Sequence, residues 1–148
     1  MTMGDPQPIH HQLLVAFSHS NRAMLSRSRA AGLKPGQPKV LEYVVFHEGC
    51  SQRDIARACV MDKSTVTSVV TRMEEEGLLE RRARPGDRRE VEIRLTQSGR
   101  DAAEKVLRYR DEVDDIAWGN LTHEERAELS SLLARVIRHF EGAEEKGR

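Results

Sequence analysis

The sequence predicts a mainly α-helical chain with one small β-hairpin, in which two short helices and the hairpin stand between longer flanking helices. Three observations predict this. Apolar residues recur at helical spacing over most of the chain. The period falls to two only after Gly77, on either side of a Pro85-Gly86-Asp87 turn. Two short segments that open with capping residues lie directly before that change. Two short helices a few residues apart, followed by a hairpin with an arginine-rich tip, make a winged helix-turn-helix. The expected division is an N-terminal helix within 1–33, a winged region over 34–96 and C-terminal helices over 97–148.

The first helix is expected from Ile9 to Ala31, with Ile9, Leu13, Phe17, Met24 and Leu25 on one face and Ala16 nearby. Gly32 ends it, and Lys34-Pro35-Gly36-Gln37-Pro38 has the chemistry of a turn that starts a helix. A second helix over Lys39–His47 buries Val40, Leu41, Val44 and Val45, and Gly49 stops it. Ser51-Gln52-Arg53-Asp54 reads as a capping box opening a third helix that runs to Ala58. Asp62 caps the fourth, over Lys63–Glu76, with Val66, Val69, Val70 and Met73 inward. In the hairpin, Leu79, Arg81 and Ala83 alternate with charged residues, as do Val91, Ile93 and Leu95. Thr96 caps a fifth helix reaching Trp118, and Thr122-x-x-Glu125 opens the last. There Leu129, Leu132, Leu133, Val136, Ile137 and Phe140 form a nearly unbroken apolar stripe, which needs something to pack on. A second copy of the chain is the candidate.

Composition narrows the class. With 148 residues, 38% hydrophobic and 32% charged, the chain can bury a core and is not of disordered type. Only six residues are aromatic, so aliphatic side chains must build that core. No apolar run approaches the roughly 18 residues that span a bilayer. The stretch from Met1 to Pro8 has neither a basic flank nor an apolar core, which reads as a cytoplasmic protein without membrane association. There is no glycine-rich phosphate loop after a strand, no HExxH and no GxSxG, so neither an enzyme nor a cofactor is expected.

The net charge is zero, but its distribution is uneven. Six arginines face three acids between Arg81 and Arg94, whereas nine basic residues face twelve acids from Gln97 onward. One surface is thus suited to phosphate and another is not. A major groove admits one helix and is read there by short polar side chains and arginines. On the fourth helix Lys63, Ser64, Thr65, Thr67, Ser68 and Arg72 face outward with Thr71, and Ser51 stands at the start of the helix before it. In the hairpin Arg84, Asp87, Arg88 and Arg89 lie at or beside the tip. An arginine there can enter a narrow minor groove, and Asp87 is expected to pair with a guanidinium and hold it.

Several stretches together resemble the MarR family of bacterial regulators. They are Leu33-Lys34-Pro35-Gly36-Gln37-Pro38-Lys39-Val40-Leu41, Ser51 to Ala56, Asp62 to Thr67 and Arg72 to Arg81. Asp87-Arg88-Arg89, Leu95-Thr96-x-x-Gly99 and Leu121-Thr122-x-Glu124-Glu125 complete the set, and the likeness spans residues 9 to 141. It implies a homodimer held by the first and last two helices, a recognition helix at Lys63–Glu76 and a wing whose Arg89 enters the minor groove. It also implies a repressor of double-stranded operator DNA that a small aromatic or phenolic effector releases. His19, Arg22 and Trp118 are the candidates to line an effector cleft.

Metal and redox sensing are not expected. Zinc-sensing members carry a histidine pair in the fifth helix, and here no histidine falls between Gln97 and Asn120. His10 and His11 are adjacent and point to different helix faces. Peroxide-sensing members place a reactive cysteine near the start of the first long helix. Here Cys50 falls in a turn and Cys59 at the end of the third helix. The alternative to a DNA-binding regulator is a winged helix that binds only protein. The wing arginines oppose it, because protein interface cores shed charge.

Overall fold

The computed structural model describes residues 7–147, except for the side chain of Arg88. The elements follow in the order α1 (Ile9–Ala30), α2 (Gln37–Val44), α3 (Gln52–Ala58), α4 (Lys63–Glu75), β1 (Leu79–Arg84), β2 (Asp87–Leu95), α5 (Gln97–Trp118) and α6 (His123–Lys146). They form two compact units, Met1–Val113 and Asp114–Arg148. None of the described helices is long and apolar enough to cross a membrane.

The core of the first unit is aliphatic, as the scarcity of aromatic residues requires. Val40, Leu41 and Val44 from α2, Ile55 from α3, and Val66, Val70 and Met73 from α4 are buried together with Leu79, Ile93 and Leu95 of the hairpin and Ala103 and Val106 of α5. Burying a side chain of this size contributes about 1.5–3 kcal/mol, so this cluster is the main reason the two short helices persist. Gly99 allows α5 to approach: a Cβ there would stand 1.9 Å from the carbonyl oxygen of Leu78. Thr96 caps α5 by accepting from the Gly99 amide at 3.0 Å, and its hydroxyl donates to the Gly77 carbonyl.

The second helix begins at Gln37, two residues earlier than its apolar pattern suggests. Pro38 fits the first turn without losing a needed N–H, and Gly36 supplies a left-handed residue (φ 88°) before it. Between α3 and α4 the chain reverses through Val60, at φ 54°. The Met61 amide bonds to the Ala56 carbonyl at 3.0 Å, the signature of a Schellman helix end, with a β-branched residue where glycine is usual.

The hairpin is antiparallel, with Leu79 opposite Leu95 and Ala83 opposite Val91. Beyond Ala83 the register breaks, Arg84 pairs with Asp87, and the turn is tighter than the expected three-residue one. The alternation of buried and exposed residues also fades there, since Ala83 is exposed and Val91 is 38% exposed. The tip stands beyond the core, which has nothing left to cover it. Cys50, expected in a turn, instead forms a single β-bridge with Ile93, through bonds of 2.8 Å from the Ile93 amide to the Cys50 carbonyl and from the Gly49 amide to the Ile93 carbonyl. The wing is thereby fastened on the side away from β1.

Two expected apolar faces are uncovered. Ser28 is the buried residue of α1, whereas Ile9 and Phe17 are more than half exposed. In the second unit α6 opens with the expected capping box, Thr122 and Glu125 exchanging bonds of 3.1 and 2.8 Å. No residue of α6 is buried, and Leu132, Ile137 and Phe140 are 45–56% exposed.

Candidate nucleic-acid interface

Helix α4 owes its placement to its inner face and its cap. Val66, Val70 and Met73 are sealed in the core. The Asp62 carboxylate accepts from the Thr65 amide at 2.7 Å and from the Ser64 hydroxyl at 2.8 Å. The Thr65 amide is the chief reason that the Asp62 carboxyl lies below its ordinary pKa, and the carboxylate stays ionised to favour the positive end of the helix. Lys63, Ser64, Thr65, Thr67, Ser68 and Arg72 are all exposed, as their outward register predicts. A shallow, open groove lies along them, lined by Lys63, Ser64, Thr67, Ser68, Thr71, Arg72 and Glu75. Thr65 stands outside that lining.

The hydroxyls on this face are not equivalent. Thr67 donates to the Lys63 carbonyl at 2.9 Å and accepts from Gln52 Nε2 at 3.2 Å, so its one proton is already committed. Among the described residues, the side chains of Thr65 and Ser68 make no hydrogen bond. Ser51 caps α3, its hydroxyl oxygen accepting from the Asp54 amide at 3.1 Å while the Asp54 carboxylate accepts the Ser51 amide at 3.0 Å. That backbone bond from Ser51 is the largest cause that lowers the Asp54 pKa. Gln52 was not expected among the site residues. Its position at the first residue of α3, which a helix-turn-helix sets beside the start of the next helix, is the signal that could have found it.

In the hairpin, most arginines are tied to acids. Arg84 reaches Glu90 at 2.6 Å and Glu92 at 3.6 Å, Arg94 reaches Glu92 at 3.0 Å, and Arg82 reaches Glu80 at 2.7 Å. The local excess of positive charge is therefore smaller in effect than the count suggests. Arg84 is held back from the tip by two carboxylates. Arg81 turns inward, donating to the Thr71 hydroxyl of α4, and the Glu74 carboxylate accepts its backbone amide at 3.1 Å.

Asp87 corrects one expectation. Among the described residues its carboxylate holds no guanidinium; it accepts the backbone amide of Arg89 at 3.0 Å. An aspartate reaches the amide two residues on more readily than a long, entropically costly arginine head, and the resulting local turn shapes the tip. The exposed Arg89 guanidinium has no ion-pair partner among the described residues. The backbone of Arg88 lies in β2, and its side chain falls outside the described residues.

Comparison with known proteins assigns this arrangement. The model of the MarR family matches residues 31–90. The chain is 32% identical to the uncharacterized HTH-type transcriptional regulator YwhA of Bacillus subtilis over 66% of this chain and 70% of that one. It belongs to the MarR family. It is also similar to the HTH-type transcriptional repressor NicR of Pseudomonas putida, at 29% identity over 66% of this chain and 61% of NicR. Among solved structures it resembles BpsR of Bordetella bronchiseptica, described in a study of how 6-hydroxynicotinic acid regulates DNA binding by BpsR. The TM-score is 0.79 at 26% identity, over 88% of this chain and 99% of BpsR. MarR-family proteins are DNA-binding transcriptional regulators and not enzymes, and the winged helix is the part that makes this chain one of them.

The residues expected to meet an effector in this MarR-family chain belong to both units. His19 and Arg22 are exposed on α1, whereas Phe17, Ser20, Asn21, Met24 and Leu25 of that helix line a hollow beside α2. Trp118 lies in the second unit, half-buried, with the Arg126 guanidinium 5.7 Å from its ring centre. Both cysteines are buried. Burial is the largest cause that raises each thiol pKa, that of Cys50 to about 11. Among the described residues no group of three or more histidines, cysteines or acids is placed to hold a metal ion.

Proposed function

We propose that this protein represses transcription by binding a pseudo-palindromic operator as a homodimer, and that a small aromatic or phenolic effector releases it. The observation that carries the reading is the α4 groove, a polar and basic face some three turns long that nothing in the first unit covers. Lys63, Ser64, Thr65, Ser68 and Arg72 meet phosphates and base edges in the major groove, with Thr67 presented through Gln52. Ser51 donates to the phosphate backbone at the start of α3. Arg89, flanked by Arg88, reaches the minor groove, Asp87 shapes the tip, and Arg84 stays behind it. The N- and C-terminal helices, over 1–33 and 97–148, are the dimer-forming parts, which accounts for the exposed stripe of α6. The likeness to NicR, a transcriptional repressor, and to BpsR, whose DNA binding 6-hydroxynicotinic acid regulates, supports the repressor and effector parts. The protein acts in the cytoplasm, where its operator lies.

A gel-shift titration against the DNA upstream of its own gene, across a salt series, tests this. The expected result is a single complex of dimer stoichiometry whose affinity falls steeply with salt, about 0.9 in log–log slope per phosphate contacted. A complex with one protomer per site, or binding indifferent to sequence at every salt concentration, refutes it.

A further inference from the structure

Glu76 follows the last residue of α4, where a carboxylate opposes the negative end of the helix dipole. Three donors compensate for that placement. Lys34 Nζ and Arg72 Nε both hydrogen-bond to Oε1, the latter at 3.3 Å, and Gln37 Nε2 donates to Oε2 at 3.1 Å. Gln37 is only 1% exposed. Its side-chain carbonyl accepts the Lys34 amide at 3.0 Å, which fixes the orientation of the Gln37 amide and aims it at Glu76. The same turn closes on α4 a second time, where a Cβ on Gly36 would stand 3.0 Å from Val69 Cγ2. An exposed pair four residues apart on a helix usually gains little, because both long side chains must be ordered for one contact. Here the acid is already ordered by the fold, and only Arg72 has freedom to lose.

We propose that Glu76 is a positioning residue for DNA recognition, holding the Arg72 guanidinium by its Nε so that the two terminal nitrogens face the groove of α4. This rests on the reading that the α4 groove meets DNA. An arginine engaged at Nε keeps the N–H groups of both Nη atoms, the fork that binds a phosphate or a guanine edge through two parallel bonds. The charge arrangement suits that use. Lys34 and Arg72 share one carboxylate, so the trio keeps one net positive charge and does not repel phosphate. Lys34 is also the chief reason that the Glu76 carboxyl lies below its ordinary range, which keeps it ionised at neutral pH. Without Glu76, Arg72 still carries its charge but samples many rotamers.

The test is a double-mutant cycle with Arg72→Ala, Glu76→Gln and the combined variant. Affinity is measured on a duplex that the wild-type protein selects from random DNA, with thermal melting of each variant alongside. Arg72→Ala and Glu76→Gln should each weaken binding by about tenfold. The combined variant should bind no more weakly than Arg72→Ala alone. Arg72→Lys, which lacks Nε, should likewise make Glu76→Gln silent, and it provides the cycle if the alanine variant does not fold. A merely structural Glu76 would weaken binding by the same factor in every background, and that additivity overturns the proposal while leaving the reading of α4 intact. If no duplex is selected, or Arg72→Ala binds as the wild type does, the reading of α4 fails and the proposal with it.

Discussion

Gln52 and Thr67 join the two helices of the helix-turn-helix through one hydrogen bond, Nε2 to Oγ1 at 3.2 Å. Thr67 spends its proton on the Lys63 carbonyl, so what it offers DNA is mainly a methyl group and the orientation it gives Gln52. The Gln52 amide retains its carbonyl oxygen and one N–H, the pair that can read an adenine edge. Thr67→Ala and Gln52→Ala should therefore both lower the preference for operator over random DNA. The loss should fall in the range of a base contact, about 1–3 kcal/mol, with the salt slope nearly unchanged. Competition binding on operator and scrambled duplexes measures this. A loss equal on both duplexes refutes it.

Much of this was legible in the sequence. The caps at Ser51, Asp62 and Thr122 announce themselves by residue type and by the spacing of their partners, and the inner face of α4 by its period. The hairpin was legible from Leu79 to Arg81, where one face meets the core, and less so from Ala83 onward, where nothing selects for alternation. Contacts between distant segments were not legible. The Cys50–Ile93 bridge is one residue long, and a single extended residue has no pattern. The ion pairs of Arg84 depend on which side of the strand each acid occupies after the register breaks. The face of α1 was legible as apolar, but not as exposed, because periodicity says that a surface seeks cover without saying what supplies it.

Val60 offers a stability test. It is 90% exposed and held at φ 54°, so its side chain contributes almost no burial while its backbone is strained. A left-handed conformation costs a residue with a Cβ about 1–2 kcal/mol, most for a β-branched one. Val60→Gly should raise stability by about 1 kcal/mol, somewhat less than the relieved strain because glycine loses more entropy on folding. Urea unfolding gives the value, and a variant less stable than the wild type would show the strain to be absent.

Burial keeps the thiols protonated. Cys50 is the clearer case, its pKa raised to about 11 by desolvation first and by the Asp54 charge second. A thiol raised above its unfolded value stabilises the fold fully below the ordinary thiol range, and that contribution is lost as pH climbs toward 11. Stability measured between pH 8 and 11 should fall less steeply in Cys50→Ala than in the wild type. At neutral pH, peroxide should release neither the wild type nor Cys50→Ala/Cys59→Ala from DNA. Release of the wild type alone would make the thiols sensors.

Leu133 tests assembly, since it lies in the uncovered stripe of α6 and is 38% exposed. Each such side chain is already about half covered and has roughly half of the ~1.5–3 kcal/mol of full burial left to gain, enough in sum to hold two copies together. Leu133→Asp should convert a dimer into a monomer by light scattering and abolish operator binding at nanomolar concentration. It should leave the winged region folded, as read by its unfolding transition. A wild-type protein that is monomeric at micromolar concentration contradicts the dimer outright.

Arg89 separates charge from base reading. It stands at the hairpin tip with its backbone amide fixed on Asp87 and its guanidinium unpaired among the described residues, whereas Arg82, Arg84 and Arg94 already serve acids. Of the described wing arginines, it is the one that can meet DNA without first breaking an ion pair. Arg89→Ala should therefore weaken binding to nearly all sequences, and in a dimer it removes two contacts. The log–log salt slope should become shallower by up to about 1.8, at roughly 0.9 per phosphate. If Arg89 enters the minor groove, replacing A·T pairs beneath the wing by G·C should weaken the wild type and leave Arg89→Ala less affected, because a narrow A·T groove concentrates negative potential. Arg84→Ala serves as the control. It frees Glu90 while Glu92 keeps Arg94, so any loss of affinity there comes with one uncompensated acid at the wing and should shrink in Arg84→Ala/Glu90→Gln. Asp87→Ala should cost less than Arg89→Ala at low salt and should leave the salt slope intact, since it loosens the tip without removing its charge. Binding by Arg89→Ala equal to the wild type at every salt concentration would mean that the wing does not reach DNA, and contact would then rest on α4 alone.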